Sequence, residues 1–442
     1  MTQLARKLRF TDYFTLAFGT MVGVGWLVVM DDWLGRGGPA GAILGFAIGG
    51  AALLPIGYVY GRLVMRQPDA AGEVAYTSVV FPESLCYATG WMMLLAYAIV
   101  CPWETVAIGR IAAYIFPALD SFELYRLGGQ PVYLPHLVLG LGLTALLVVL
   151  NYRDIRLSAT FQNITTFGLL LLFAVFGGFS LTHGSVRNLS PAFSRAPLAA
   201  VLLVIQIVPY FMTGFESISK ASEEARQEFR SRDYLRATML AIVVGIIFYT
   251  GVVAVVAVAQ PWQSIVREKF ATAVALERVA HSRWIVNVVL AAALLSLGKV
   301  FNGNFVAATR LLFALGRRGM MDARLARIHP VNQTPAAAIL AVGGVTAAAT
   351  LLGGAILIPI TEVGSLASAF GWMMACAAYF AMRPGSAQRA TALLGIAVAA
   401  TLALMKFLPI VPGHFSRFEY AALAVWVLLG LLLHRRPAIS ST

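Results

Sequence analysis

Apolar runs of about 20 residues, the length needed to cross a bilayer as a helix, recur along the whole chain between short polar stretches. The pattern predicts twelve spans, at roughly 11–34, 39–62, 84–117, 133–151, 157–180, 199–219, 237–259, 284–314, 335–354, 357–382, 388–409 and 418–434. Two of the polar stretches are expected to be ordered. Residues 220–236 are strongly charged and predict a short cytoplasmic helix. Residues 267–280 space Phe270, Val274 and Leu276 near one helical face. They predict an amphipathic helix lying on the outer face, which either caps an external vestibule or covers spans 7 and 8.

Two spans are interrupted. The first carries Phe18 to Leu27 (FGTMVGVGWL), with Gly19, Gly23 and Gly25 inside it. The sixth carries Pro209 to Glu216 (PYFMTGFE), with Gly214. Glycine weakens a helix interior by roughly 1 kcal/mol relative to alanine and frees the backbone for unusual angles. In hydrocarbon an unwound backbone is tolerated only where protein or a water-filled cavity covers it. Two interrupted segments in matching positions of two halves point to a transporter's substrate site. A break leaves free N–H groups and a positive dipole end on one half-helix, and free carbonyls and a negative end on the other. A zwitterion suits that arrangement, so the backbone alone can read an α-amino acid. The alternative is close helix packing through small residues, which Gly19 and Gly23 fit and which Gly25 and the Pro209–Gly214 pair do not.

Composition supports a membrane setting. The chain has 442 residues, 59% hydrophobic and 12% charged, with mean hydropathy +0.79. Soluble domains are roughly a quarter charged. A formal net charge of +13 raises the question of nucleic acid, but the basic residues read as topology signals instead. The two richest basic loops follow spans 6 and 8 (Lys220 to Arg236; Arg310 to Arg327). With Arg6, Lys7, Arg9, Arg156 and Arg436 they place both termini in the cytoplasm by the positive-inside rule. Cys86, Cys101 and Cys376 form no paired framework or metal spacing, and His183, His281 and His414 make no metal site. No cofactor is expected, and no cleavable signal peptide precedes the first span.

Three motifs together resemble the amino acid–polyamine–organocation permeases. The first is Gly23-Val24-Gly25-Trp26-Leu27 in span 1. The second is Tyr210 to Ser217, ending in Gly-Phe-Glu-Ser and followed by Glu223-Glu224-Ala225-Arg226. The third is Asn302-Gly303 in span 8, with the basic exit Thr309 to Arg317. The resemblance implies an all-α integral membrane protein with twelve transmembrane helices. It implies a five-plus-five inverted repeat whose helices 1 and 6 are broken, plus two peripheral helices. The first repeat would be residues 1–182, the second 183–383, and the peripheral helices and tail 384–442. It implies secondary transport by alternating access. It sets the substrate carboxylate on Gly23, Val24 and Gly25, and the amino group on carbonyls near Gly19–Met21 and Pro209–Phe211. Tyr210 or Phe215 would be the aromatic gate. Val24 departs from the usual serine or alanine, which implies a tighter pocket near the α-carbon.

Ionisable groups inside spans are functional hypotheses by default. Glu104, beside Pro102, meets either a cationic group of the substrate or another intramembrane charge such as Lys299. Lys299 has three readings: a proton-coupling group where spans 1, 5 and 8 meet, a contact to the substrate carboxylate, or a salt bridge to Glu104 or Glu216. A buried lysine loses its proton readily, so coupling is physically reasonable. Glu216 reads as structural or proton-linked. Glu362 is expected near water and without a partner, and Asp31 and Asp32 to face the external vestibule.

The expected function is a proton-coupled amino acid transporter of the inner membrane, with lipid and a small-molecule substrate as partners and no nucleic acid. An exchanger or polyamine permease is the alternative. A membrane-embedded enzyme needs convergent acid, base or metal groups, and no such spacing occurs. A transporter-like sensor would need a soluble output domain, for which there is no room.

Overall fold

The computed structural model describes residues 8–153, 159–222, 225–226, 228–268 and 270–435, with no account of the Ala159 side chain. Arg6, Lys7, Arg156, the Glu223–Glu224 pair, Lys269 and Arg436 lie outside the described residues.

The chain opens with α1 (Phe10–Met21), α2 (Gly25–Val28) and α3 (Met30–Ala52), the last bent at Gly38. Gly38 has φ 63°, a left-handed conformation that glycine adopts without steric cost, and Pro39 restarts the helix behind it. The run continues through α4 (Leu54–Arg66), α5 (Glu73–Ser78), α6 (Glu83–Ala98) and α7 (Val100–Ile115). A hairpin follows, β1 (Glu123–Leu127) and β2 (Gln130–Tyr133), paired antiparallel. Its turn residues Gly128 and Gly129 have φ 56° and 77°, the positive pair that a two-residue hairpin turn requires.

Next come α8 (Leu134–Tyr152), α9 (Ala159–His183), α10 (Pro197–Ile205), α11 (Val208–Met212) and α12 (Ser217–Lys220). The rest is α13 (Ser231–Ala259), α14 (Trp262–Ile265), α15 (Ala271–Ala280), α16 (Arg283–Arg317), α17 (Ala336–Thr350), α18 (Leu357–Ala381), α19 (Ser386–Leu404) and α20 (Arg417–Leu433).

Among the described residues, 8 helical runs are long and apolar enough to cross a membrane, or 9 if the pair Pro197–Ile205 and Val208–Lys220, bent by about 40°, is one span. This is an all-α membrane architecture with one small hairpin. Many outward side chains are large and apolar, as lipid contact demands: Leu171, Ile247, Leu295 and Leu432 are all exposed. The buried centre is α1, α3, α7, α11, α13, α16 and α18, where Trp33, Trp103, Trp372 and Tyr249 are enclosed.

One expected element is corrected. Among the described residues the stretch 220–236 holds no separate helix: α12 stops at Lys220, and Ser231 onward already belongs to α13. Its charges read as a solvated helix, but Lys220 is buried and ties the chain down where the helix would begin. The amphipathic helix is present as α15, shorter than expected and bounded by left-handed Phe270 (φ 62°) and His281 (φ 49°). Thr272 Oγ1 donates to the Trp26 carbonyl at 2.6 Å, which joins α15 to α2.

Candidate functional site

The first interruption lies between α1 and α2. Val22 leaves the helix at φ −100°, ψ 101°, and the N–H groups of Gly23, Val24 and Gly25 donate to no group among the described residues. Glycine is needed here for close approach. A Cβ on Gly23 would lie 3.0 Å from Glu104 Oε1, and one on Gly25 would lie 2.6 Å from the Phe211 ring.

The second interruption follows α11. Gly214 has φ 133°, and a Cβ there would fall 2.5 Å from the Met21 backbone nitrogen. The two interruptions are thus in direct contact, backbone against backbone. Tyr249, from α13, stands behind both: its hydroxyl is 3.1 Å from the Met21 carbonyl and 2.9 Å from the Phe211 carbonyl. With one proton it donates to one of them at a time.

Between the interruptions is a small cavity of about 20 Å3, lined by Thr20, Met21, Gly23, Gly25, Val100, Trp103, Glu104, Tyr210, Phe211, Thr213, Tyr249, Val300 and Asn304. Five of these residues bring a buried polar atom with no hydrogen-bond partner: Thr20 Oγ1, Trp103 Nε1, Glu104 Oε2, Tyr210 Oη and Asn304 Oδ1. Each such atom costs roughly 1–3 kcal/mol when left unsatisfied. Five around one small space mark a site shaped for polar groups brought from outside.

Among the residues picked from sequence, Met21, Gly23, Gly25, Glu104, Tyr210 and Phe211 line this cavity, and Gly214 supports it from below. Val24 is buried but outside the wall, and its carbonyl accepts from Leu27 N–H at 2.9 Å. The Pro209 carbonyl is held by Thr213 Oγ1 at 2.6 Å. Phe215 is packed elsewhere, its ring 5.6 Å from Tyr60 and 5.4 Å from Trp372. Glu216 Oε2 accepts the Gly214 N–H at 3.0 Å. Sequence reasoning missed the Thr20 side chain, Val100, Trp103, Thr213, Tyr249, Val300 and Asn304. Asn304 directly follows the Asn302-Gly303 pair, whose Asn302 instead accepts from Asn151 at 2.9 Å.

Lys299 lies outside the cavity wall, on the far side of α1. Its ammonium donates to Thr166 Oγ1 at 3.2 Å, and a Cβ on Gly19 would lie 3.0 Å from its stem. Among the described residues no carboxylate is within ion-pair distance of Lys299, so neither Glu104 nor Glu216 forms the bridge considered from sequence.

One expectation about charge is overturned. Glu362 does have partners: Arg36 Nη1 is 2.6 Å from its Oε1, and Lys406 pairs with its Oε2. The Asp32 carboxylate in turn is 2.7 Å from Arg36 Nε. These four groups form one chain linking α3, α18 and the end of α19. Too deeply set for solvent to satisfy them, they neutralise one another. A second buried pair, Glu73 with Lys220, joins α5 to α12, and the Tyr60 hydroxyl adds a bond to Glu73 at 3.1 Å.

Apolar helices in number, and a polar cavity enclosed between interrupted ones, define a multi-pass membrane protein of the transporter class. A family model described as amino acid permease matches residues 8–433, and the chain belongs to that family, within the amino acid–polyamine–organocation superfamily. Among its relatives, the branched-chain amino acid permease BcaP of Bacillus subtilis is 23% identical, covering 98% of this chain and 92% of its own. Human cationic amino acid transporter 4 is 28% identical over 79% of this chain and 56% of its own. The aspartate-proton symporter of Bacillus subtilis is 23% identical over 76% and 65%. These relatives are named as permeases, transporters and symporters rather than as enzymes.

Proposed function

We propose that this protein is a secondary active amino acid transporter of the inner membrane, working by alternating access and coupled to protons. Twelve spans run with both termini in the cytoplasm, the first five (1–182) and second five (183–383) as inverted repeats, and two more (384–442) at the periphery. The observation that carries this reading is the set of unpaired polar atoms around the cavity where the two interruptions touch. The free N–H groups of Gly23, Val24 and Gly25 receive the substrate carboxylate, and Glu104 receives a positive group. The carbonyls of Met21 and Phe211, which Tyr249 approaches, turn to the substrate ammonium as Tyr249 releases them. Gly19, Pro209, Gly214 and Phe215 shape the backbone around it.

Lys299 is the coupling group, with Glu216 as a secondary one. Lys299 sits where α1, α9 and α16 meet, with the Thr166 hydroxyl as partner and no carboxylate at ion-pair distance among the described residues, so gain or loss of its proton changes the charge at that junction. A second reading, an exchanger of amino acids or amines that includes a polyamine permease, is favoured by Glu104, whose carboxylate is the one acidic group in the cavity wall.

The test is uptake of labelled arginine, leucine and aspartate into proteoliposomes, with and without an inward proton gradient. Gradient-driven accumulation of one of them, lost in Lys299→Ala while binding survives, is expected. Counterflow without accumulation would replace symport by exchange. Undiminished accumulation in Lys299→Ala would remove the coupling role.

A further inference from the structure

A cavity of about 620 Å3 lies at the hairpin end of the molecule, between α7, β2, the start of α8 and the approach to α15. Its size is within the range of small-molecule sites, roughly 300–1,000 Å3. Two guanidinium groups in its wall have no acceptor. Arg110, half-buried on α7, stands 5.6 Å from the centroid of the Phe270 ring. Arg267 lies just before that ring in the chain and is exposed. Among the described residues neither donates a hydrogen bond or meets a carboxylate at ion-pair distance. The other charges of the wall are engaged. Arg283 holds Glu277 at 2.5 Å and the Tyr114 carbonyl at 3.1 Å, Asp120 is 3.1 Å from His136, and Glu268 is 3.4 Å from Arg278. Asp31 and Asp120 reach Arg110 only through space. A guanidinium is a planar fork of donors that matches phosphate as well as carboxylate. A tetrahedral phosphate offers oxygens in diverging directions, so it can meet two such forks at once.

The level of the cavity in the bilayer points to the source of that phosphate. α7 ends at Ile115, α8 begins at Leu134 and α16 begins at Arg283, and Tyr114, Tyr133 and Arg283 line the cavity. The 19 residues of α8 make a helix about 28 Å long. That is close to the hydrocarbon thickness of a bilayer, so the first turn of α8 stands where acyl chains meet headgroups. Trp284, exposed at the start of α16, is at the same level, where amphipathic rings collect. Leu137 lines the cavity, while Leu134 and Val138 beside it are exposed. They begin a stripe that continues along α8 through Gly142, Leu146 and Val149, all exposed and spaced to share one face. A phosphate in the cavity is thus set beside an exposed apolar track leading into the hydrocarbon.

We propose that this cavity binds the phosphodiester headgroup of a membrane phospholipid, with Arg110 and Arg267 holding the phosphate and the acyl chains lying along the α8 stripe. Two unpaired positive charges favour a headgroup with no ammonium of its own, so an anionic lipid binds in preference to a zwitterionic one. The site needs only that the chain spans a membrane; it is independent of what the protein transports.

The experiment is native mass spectrometry of the purified, delipidated full chain, with phosphatidylglycerol, phosphatidylethanolamine or glycerophosphoglycerol added at equal concentration. One phosphatidylglycerol per chain is expected, retained about tenfold or more above phosphatidylethanolamine, the worth of a charge-assisted contact. Glycerophosphoglycerol is the same headgroup without acyl chains, and it should not displace the lipid. Arg110→Gln and Arg267→Gln each lower retention about tenfold or more, and Arg110→Lys recovers part of the loss. Arg267 is exposed, so its variant keeps the test open if Arg110→Gln fails to fold. Gly354→Trp leaves both charges in place. Gly354 lines the cavity, and an added Cβ there meets nothing within 4 Å, so the bulky side chain excludes the headgroup. A phosphatidylglycerol with a photoreactive acyl chain should crosslink to α8 between Leu134 and Val149. Equal retention of the two lipids, retention unchanged in the glutamine variants, or crosslinks elsewhere than α8 overturns the lipid site. Displacement by glycerophosphoglycerol overturns the lipid as the source and leaves the cavity to a soluble phosphodiester.

Discussion

At the scale of single residues the site depends on what is left unpaired. Glu104 is buried with Oε2 unsatisfied, a costly position for a carboxylate unless a cation is brought to it. Glu104→Gln should lower arginine uptake about tenfold or more, the worth of a charge-assisted bond, while the thermal midpoint in detergent stays equal or rises. Unchanged arginine uptake, set against leucine as a control, would show that the carboxylate does not face substrate. Glu104 and Lys299 were both visible in the sequence because charge inside an apolar run is rare. Their relation was not. Whether they pair depends on which side of α1 each one lies, and the structure sets them on different sides: Glu104 against Gly23, Lys299 against Gly19. The Glu362 partners were hidden for a similar reason. Arg36 and Lys406 lie far from Glu362 in the sequence, and only the packing of α3, α18 and α19 brings them to one carboxylate.

At the scale of elements, hydropathy marked an all-α chain, because a run of apolar residues in a bilayer has few alternatives to a helix; of the twelve spans expected, 8 runs, or 9 with the bent pair, are long and apolar enough among the described residues. The interruptions were also legible, since glycine and proline at mid-span act on the backbone wherever they stand. The hairpin was not anticipated, although Gly128-Gly129 between Glu123–Leu127 and Gln130–Tyr133 is the turn signal for one. Nor was Tyr249, an ordinary aromatic residue in the middle of α13. Its hydroxyl lies between the last carbonyl of α1 and that of Phe211 in α11, so it couples the two interrupted helices. Tyr249→Phe keeps the ring packing on Phe46 and Trp33 and removes only the bond. Loss of one buried hydrogen bond costs about 1 kcal/mol. Accelerated hydrogen exchange confined to the α1–α2 and α11–α12 segments is the expected result. Exchange no faster there than in wild type would mean the hydroxyl does not restrain the two helices.

At the scale of the whole molecule, two buried charge assemblies hold distant parts together. The Asp32–Arg36–Glu362–Lys406 chain ties the first third of the sequence to the last. The Glu73–Lys220 pair ties α5 to the segment after the second interruption. Removing one member of such an assembly leaves an uncompensated charge and costs about 3 kcal/mol or more. Glu362→Gln should therefore lower the thermal midpoint markedly in detergent, and adding Lys406→Met should recover part of the loss. A midpoint unmoved by Glu362→Gln would mean the chain carries no stability. One further consequence follows from the central cavity. A space of about 20 Å3 admits about one water molecule. A substrate larger than that can be seated between the two interrupted helices only as the side chains around the space draw apart.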